Sequence, residues 1–437
     1  MRKLFDSRFA YNAMIWLLLP YAYFHLVWRA RKQREYLHHI GERFGRYTVI
    51  CNKPVIWLHT VSVGETRATE TLVQSLLKQY PDYQILLTHT TPTGRATSEK
   101  LFGDKVVRVY LPYDYPFAVE RFLQHFKPLI GILLETEIWF NLIHACRAAS
   151  IPLLLLNARL SEKSAQRYAR FPTLTRNGLH ELYLIAAQTE EDAMRFASFG
   201  NRAVPVMGNL KYDIVPPAEM LELGARLRTQ IGEKRRVFLA ASTREGEEDL
   251  LLSALQHADV DDLLTIIVPR HPQRFEEVAA LIEQRCLRMQ RRSKNELVAA
   301  DTQVLLGDSM GEMFAYYAAC DATFIGGSIL PYGGQNLIEA TCLGKPVLIG
   351  THTFNFAEAT ELAVAEGAAV RVADGGELAG ELASELERLF EDPAHREAMA
   401  QAGLRFSRQH RGATARLMAL VAPYLDENRQ ICITEEQ

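Results

Sequence analysis

Several short signatures are missing from the sequence, and each absence narrows the chemistry. No G-x-G-x-x-G follows a strand-like run and no G-x-x-x-x-G-K-S/T occurs, so neither a dinucleotide fingerprint nor a P-loop is supported. No H-E-x-x-H occurs, and nothing in the pattern requires a metal. Charge of one sign is not in excess: 49 Lys and Arg stand against 52 Asp and Glu, a formal net charge of -3, which gives nucleic-acid binding by bulk charge no support. The cysteines (Cys51, Cys146, Cys286, Cys320, Cys342, Cys432) are scattered without a C-x-x-C pair. Reduced thiols in a cytoplasmic setting are therefore expected, and a zinc site is not. At 437 residues the chain exceeds what one core usually holds, so two or three domains are expected.

One long uncharged run is present. Ala10 to Trp28 carries many aromatics and is near the minimum of about 17 residues for a spanning helix. Asn12, Pro20 and His25 weaken a span, while Tyr and Trp favour the membrane interface. Arg2, Lys3 and Arg8 precede the run, and Arg29, Arg31, Lys32 and Arg34 follow it. No small-residue cleavage site follows, which disfavours a signal peptide. A membrane anchor over residues 1–35 is expected, either spanning or lying in the interface. A buried helix is the plain alternative.

Beyond it, apolar strand-like runs alternate with helical stretches. The first series falls at 54–60, 83–90, 106–112, 129–135, 151–158 and 181–188, followed by 204–210. A second series falls at 235–242, 263–271, 302–308, 322–328, 345–351 and 368–372. Strands so uniformly apolar belong in parallel sheets covered on both faces. A two-proline stretch at 212–220 separates the series. The expected fold is α/β: two doubly wound, Rossmann-like domains at 36–211 and 235–425, joined by a linker at 212–234 and facing across a cleft. Residues 426–437 form a tail. Ligands should sit at the carboxyl ends of the strands.

The segments with chemical potential lie at those ends. In 324–339, Gly326-Gly327 and Gly333-Gly334 flank a loop that runs into a helix-like segment, where close backbone approach and free N–H groups suit a phosphate. Glu339 stands one turn in and could hold sugar hydroxyls. In 59–69, Glu65 opens a helix: it is either the Glu of a Ser62-x-x-Glu65 capping box or a general base needing a raised proton affinity. Glu135 and Glu137 follow an apolar strand and would share a face if the strand continued, to hold acceptor hydroxyls or a developing positive charge; a solvated strand end is the alternative. Lys211 could meet an anion near the boundary. Arg270 and His271 leave a strand between two prolines, where Arg suits phosphate or forms a structural ion pair. Asp308 and Ser309 can cap a helix opening at Met310-Gly311-Glu312.

With these residues in view the chain resembles the 3-deoxy-D-manno-octulosonic acid (Kdo) transferases of Gram-negative bacteria. The likeness runs from the anchor to about residue 425 and rests on ordered blocks: SVGE (62–65), TPTG (91–94), YLPYD (110–114), ETEIW (135–139), NARLS (157–161), AAQTEED (186–192), LKYD (210–213), REGEE (244–248), VPRHP (268–272), MGE (310–312), GGS (326–328), GGQN with IEA (333–340) and HTFNF (352–356). Phe140 stands where many members have Pro, and Gln335 and Leu337 where some have His and Pro. The resemblance implies a two-domain GT-B glycosyltransferase that is inverting and metal-independent. The donor would be CMP-Kdo and the acceptor the lipid A precursor at the cytoplasmic face of the inner membrane. By the same resemblance Glu65 is the catalytic base, and Glu135 and Lys211 support the transition state. Pro269, Arg270, Met310, Gly311, Glu312, Asn336, Leu337, Ile338 and Glu339 bind CMP. A related enzyme using a UDP-sugar, or a tethered module without activity, would share much of this pattern.

Overall fold

The computed structural model of the chain describes residues 6–31, 33–200, 203–372 and 378–435. Arg2, Lys3 and Lys32 of the expected basic flanks, and the side chain of Cys432, lie outside the described residues. The described cysteines are free thiols. The chain forms two compact units, one of residues 1–213 with 411–437, the other of residues 214–410.

The first unit is built on a parallel sheet ordered β3-β2-β1-β4-β5-β6. Its strands are β1 (Val55–His59), β2 (Gln84–His89), β3 (Val107–Tyr110), β4 (Ile130–Leu134), β5 (Leu153–Ala158) and β6 (Leu184–Ala187). These are the first six expected runs. The seventh, 204–210, contributes only one isolated bridge, Val206 to Ala187. Strands β1, β4 and β5 are buried along their whole length, because helices cover both faces. Trp57 fills one face at no exposure and donates its indole N–H to the Thr88 hydroxyl at 2.8 Å. The glycine in the β4 run is explained by it: a Cβ on Gly131 would lie 2.6 Å from both Trp57 and Leu153. The sheet reverses its strand order between β1 and β4, so their carboxyl ends open a crevice.

The second unit carries a parallel sheet ordered β13-β12-β11-β7-β8-β10-β9. Its strands are β7 (Arg236–Thr243), β8 (Leu263–Pro269), β9 (Met289–Arg291), β10 (Val304–Leu306), β11 (Ala322–Ile325), β12 (Val347–Ile349) and β13 (Ala369–Arg371). Strand β9 escaped the sequence reading; three half-buried residues, one of them Arg, carry no apolar signature. Here the order reverses at β7, between β11 and β8.

The helices used below are α1 (Arg8–Leu17), α2 (Leu19–Ala30), α3 (Val63–Ala68), α4 (Phe140–Ala148), α5 (Ala218–Ile231), α6 (Glu247–His257), α7 (Met313–Ala319), α8 (Ile338–Thr341) and α9 (Ala413–Glu435). The units divide the chain differently from the expected boundaries. Residues 218–231, expected as linker, are helix α5, which packs Gly224 against Ala315 and Ala318 of α7. Residues 411–425, expected in the second domain, return to the first: Leu417, Val421 and Leu425 of α9 join the core of Leu72 and Leu76. The Asp213 carboxylate secures this return by accepting the Gly412 N–H at 2.6 Å and that of Thr414. An amphipathic helix reads the same whichever sheet it covers.

The spanning form of the anchor is corrected. Among the described residues no helix is long and apolar enough to cross a membrane. The run breaks at Leu18 into helices of 10 and 12 residues, with Pro20 in the first turn of the second, against the roughly 20 a span requires. Two polar residues at its start, and Asp6 just before it, dock the first helix on the unit. Tyr11 donates to Asp114 at 2.7 Å, Asn12 accepts from Asn141 at 2.7 Å, and Asp6 takes the N–H groups of Thr173 and Leu174. Phe140, one of the departures from the family pattern, meets Tyr11 edge-to-face at 5.2 Å.

Candidate functional sites

The crevice of the first sheet gathers Glu65, Glu135, Glu137, His59 and Lys211. Ser62 caps α3 and accepts the Glu65 N–H at 3.4 Å. In return Glu65 takes the Val61 N–H at 2.8 Å and the Ser62 hydroxyl at 3.0 Å. The capping geometry is therefore present in a shifted form, with the carboxylate reaching Val61. It does not exclude the second reading. Burial pushes the Glu65 carboxyl up to about 7 against these bonds, and the Glu135 charge adds to the rise. Beneath α3 lies a closed polar layer: the Thr60 hydroxyl meets Thr66 at 3.2 Å and His89 Nδ1 at 3.0 Å, and Thr66 donates to the Ser62 carbonyl at 2.8 Å. Burial drives the His89 imidazole down to about 3, so this layer is uncharged near neutrality.

Glu135 and Glu137 do not continue the strand. β4 ends at Leu134, and Glu135 takes a left-handed conformation, φ 60°. That turn parts the two carboxylates. Glu135 Oε1 lies 3.2 Å from Lys211 Nζ, an ion pair without hydrogen-bond alignment. Glu137 accepts the Trp139 indole N–H at 2.6 Å and stands 3.7 Å from His59 Nε2. A left-handed non-glycine residue stores strain that its surroundings must hold. Asn157, at the end of β5, shares this conformation with φ 50°. Its side chain accepts the Leu210 N–H at 3.1 Å, while its carbonyl accepts Gln188 Nε2 at 2.9 Å. Gln188 in turn accepts from Asn209, and Asn209 accepts the Lys211 N–H. Asn157, Gln188 and Asn209 thus aim Lys211. Sequence alone does not single them out, although Asn157 lies in NARLS and Gln188 in AAQTEED.

In the second unit the carboxyl ends of β7, β8 and β11 bring Arg244, Arg270 and the glycine loop into one region. Pro269 ends β8 and is buried. Arg270 donates to Gln335 Oε1 at 3.3 Å, which gives the Gln335 departure a use. Arg244 lies over the Tyr332 ring at 4.5 Å. Burial, then the charges of Arg244, Arg270 and Arg274, hold His271 below its ordinary range. A cation-rich strand end of this kind suits an anion.

The glycine loop is held by an acid that sequence reading did not single out. Glu247, fully enclosed at the start of α6, accepts the N–H groups of Gly327 at 2.6 Å, Arg244 at 2.9 Å and Ile329 at 3.0 Å. Gly333 and Gly334 have φ 93° and 74°, and a Cβ on Gly333 would meet Asn355 at 2.4 Å. The helix expected after this loop is a single turn, Ile338–Thr341, so its dipole is slight and the loop itself must supply N–H groups. Asn336 accepts the Ile338 N–H at 3.0 Å and donates to Glu339 at 3.3 Å. Leu337 and Ile338 are core side chains, so only their backbone is available to a ligand.

The third expected segment is different again. Its helix begins at Met313, after Gly311 at φ 86°. Met310 is exposed, while Glu312 is bound to Arg292 at 3.1 Å and to the Ser309 hydroxyl at 2.7 Å. Among the described residues no group of three or more His, Cys, Asp or Glu is gathered as a metal would need.

The family model for 3-deoxy-D-manno-octulosonic-acid transferase (kdotransferase) matches residues 38–214. The 3-deoxy-D-manno-octulosonic acid transferase of Haemophilus influenzae is 37% identical over 427 residues, 96% of this chain and 99% of that one. The enzyme of the same description from Bordetella pertussis is 41% identical over 397 residues, 88% of this chain and 91% of that one. Among solved structures, UDP-GlcNAc 2-epimerase from Neisseria meningitidis bound to UDP-GlcNAc aligns with a TM-score of 0.57 at 16% identity, over 86% of this chain and all (100%) of that one. Anabaena Alr3699/HepE in complex with UDP aligns with a TM-score of 0.55 at 18% identity, over 86% and 100%. At such identities the likeness speaks for the two-domain GT-B-like fold alone. The identities over nearly the full length decide more: the chain belongs to the 3-deoxy-D-manno-octulosonic acid transferases, glycosyltransferases of lipopolysaccharide biosynthesis.

Proposed function

We propose that the chain moves Kdo from CMP-Kdo to a hydroxyl of the lipid A precursor, with inversion and without a metal, and that Glu65 is the general base. The observation that carries this reading is the Glu65 carboxyl, raised to about 7 at the strand-order reversal of the first sheet. A base poised there is ionised at working pH and still able to take a proton. Glu65 removes the proton of the acceptor hydroxyl, and that oxygen attacks the anomeric carbon of Kdo from the face opposite CMP. The bond from that carbon to the CMP phosphate oxygen breaks. Arg270, Arg244 and the N–H groups of the Gly326–Glu339 loop meet the charge that develops on CMP. Pro269, Gly311, Asn336 and Glu339 shape the donor site, with Leu337 and Ile338 contributing backbone. Glu135, paired with Lys211, faces the oxocarbenium-like centre.

The test is mass spectrometry of purified lipid A precursor after incubation with the protein and CMP-Kdo generated in situ. A mass gain of one or more Kdo units is expected, with CMP inhibiting and UDP not. No gain from protein that binds CMP would overturn the acceptor assignment. The acid limb of kcat/KM should fall near pH 7, since Glu65 must be ionised to act. A limb near pH 4.5, the ordinary carboxyl value, would remove Glu65 from the role.

The site of action follows from the first helices, which we place in the interface of the inner membrane on its cytoplasmic side. Phe9, Leu17 and Phe24 are 79%, 81% and 70% exposed, and Trp16 and Trp28 are exposed beside them. Exposed apolar and aromatic side chains on two short helices, flanked by Arg8, Arg29 and Arg31, suit a headgroup boundary. The Phe9→Ser, Leu17→Ser, Phe24→Ser triple variant should lose cosedimentation with anionic phospholipid vesicles by about tenfold or more. Unchanged cosedimentation would remove this face from the membrane.

A further inference from the structure

Two groups of the first sheet's crevice, His59 and Glu137, are left unused by the mechanism above. His59 ends β1 and is fully enclosed. Its Nδ1 lies 3.0 Å from the Thr88 carbonyl and 2.9 Å from the Thr88 hydroxyl. A carbonyl oxygen only accepts, so the hydrogen-bond pattern assigns a proton to Nδ1. Nε2 is left without a hydrogen-bond partner, 3.7 Å from Glu137 Oε2. A buried nitrogen aimed at a carboxylate and not quite bonded to it is costly unless the site uses it.

The surroundings give it a use. His89 and Thr88 face the ring from β2, Glu65 from α3, and Glu137 from the loop after β4; that loop also carries Glu135, which is paired with Lys211 of the 210–212 turn. The Glu137 oxygen nearest the ring is fixed from the other side by the Trp139 indole. Among the influences on Glu65, His59 opposes the rise caused by burial. Having no exposure, His59 cannot touch an acceptor and must act through these carboxylates.

We propose that His59 is a positioning residue for the transfer step: with a proton on each ring nitrogen, it is anchored on Thr88 through Nδ1–H, holds Glu137 through Nε2–H and supplies the positive field in which Glu65 takes the acceptor's proton. This rests on the reading of Glu65 as base. In that step the acceptor O–H bond breaks and an O–H bond to Glu65 forms, while His59 stays covalently unchanged. Glu137 then becomes a held wall of the acceptor site.

Two substitutions separate the halves of the ring. In His59→Asn the side-chain amide can still donate to Thr88 from the place of Nδ1, but nothing reaches Glu137. In His59→Gln an amide stands near the place of Nε2. His59→Asn should lower kcat by roughly tenfold or more with KM for CMP-Kdo unchanged. Its acid limb should move to higher pH by at least about half a unit, because an influence that lowers Glu65 is gone. His59→Gln should recover part of kcat without restoring the limb.

Independently of activity, the imidazole resonances of His59 in the labelled protein should move when Glu137→Gln is introduced. A wild-type kcat and limb in a folded His59→Asn variant would overturn the proposal, and so would His59 resonances indifferent to Glu137→Gln. Should Glu65→Gln retain transfer, the base assignment falls by itself, and the resonance experiment still decides whether His59 holds Glu137.

Discussion

Glu65→Gln is expected to lower kcat for Kdo transfer by about 10²–10⁴-fold, the usual contribution of a general base, while CMP binding stays unchanged. The amide oxygen can still accept from Val61 while the amide nitrogen donates to the Ser62 hydroxyl, so the local fold should survive. The same substitution should stabilise the protein at alkaline pH. The folded-state pKa of Glu65 is raised from 4.5 to about 7 by burial. A raised carboxyl contributes stability that is fully present below 4.5 and lost as pH rises through about 7. Wild type has thus given up that contribution at pH 8, whereas the Gln variant never ionises. A gain of roughly 2–4 °C in Tm per kcal/mol relieved is expected at pH 8, shrinking toward pH 5. Thermal unfolding at the two pH values, beside single-turnover transfer, reads both effects. Loss of activity with no gain in Tm would mean that Glu65 is not held in the desolvated state described.

Glu247→Ala should produce the largest structural loss. Three backbone N–H groups converge on this one carboxylate, all in the region assigned to CMP. Removing it leaves buried donors unsatisfied at about 1–3 kcal/mol each. Burial already raises the Glu247 carboxyl above its ordinary range, which offsets part of its benefit. The net loss is therefore set at about 3 kcal/mol, or roughly 6–12 °C in Tm for a unit of this size. CMP affinity, by isothermal titration, should fall by about tenfold or more as the glycine loop loosens. Glu276 also binds its partner, Arg291, at 2.6 and 2.7 Å, but in the open. Glu276→Ala should leave both readouts unchanged, because exposed pairs contribute little. Equal behaviour of the two variants would remove Glu247 from its role.

Much of the fold was legible because its cause is local and periodic. Runs such as those of β1, β4 and β5 are apolar without alternation, and only strands covered on both faces read that way. Blocks such as SVGE and GGQN also mark their places, since a turn at a strand's carboxyl end needs glycine and capping residues whatever lies around it. Glu65, Glu135, Lys211 and Arg270 could be named on those grounds together with the family resemblance.

Other features depend on partners far away in the chain. Nothing near His59 in sequence shows that Thr88 and Glu137 will face its two nitrogens, and nothing near Glu247 shows that Gly327 and Ile329 will donate to it. The left-handed turn at Glu135, which separates it from Glu137, is imposed by packing on a residue that does not prefer it. The run from Ala10 to Trp28 has the composition of an anchor, yet Tyr11 and Asn12 are spent on Asp114 and Asn141, over 100 residues away. By itself the sequence determined the buried apolar strands and the residue types placed at their ends, because these follow from burial period and backbone sterics. Only the tertiary structure decided which carboxylate is desolvated, which is paired and which holds a loop, because desolvation and charge pairing are set by neighbours that the chain brings together only on folding.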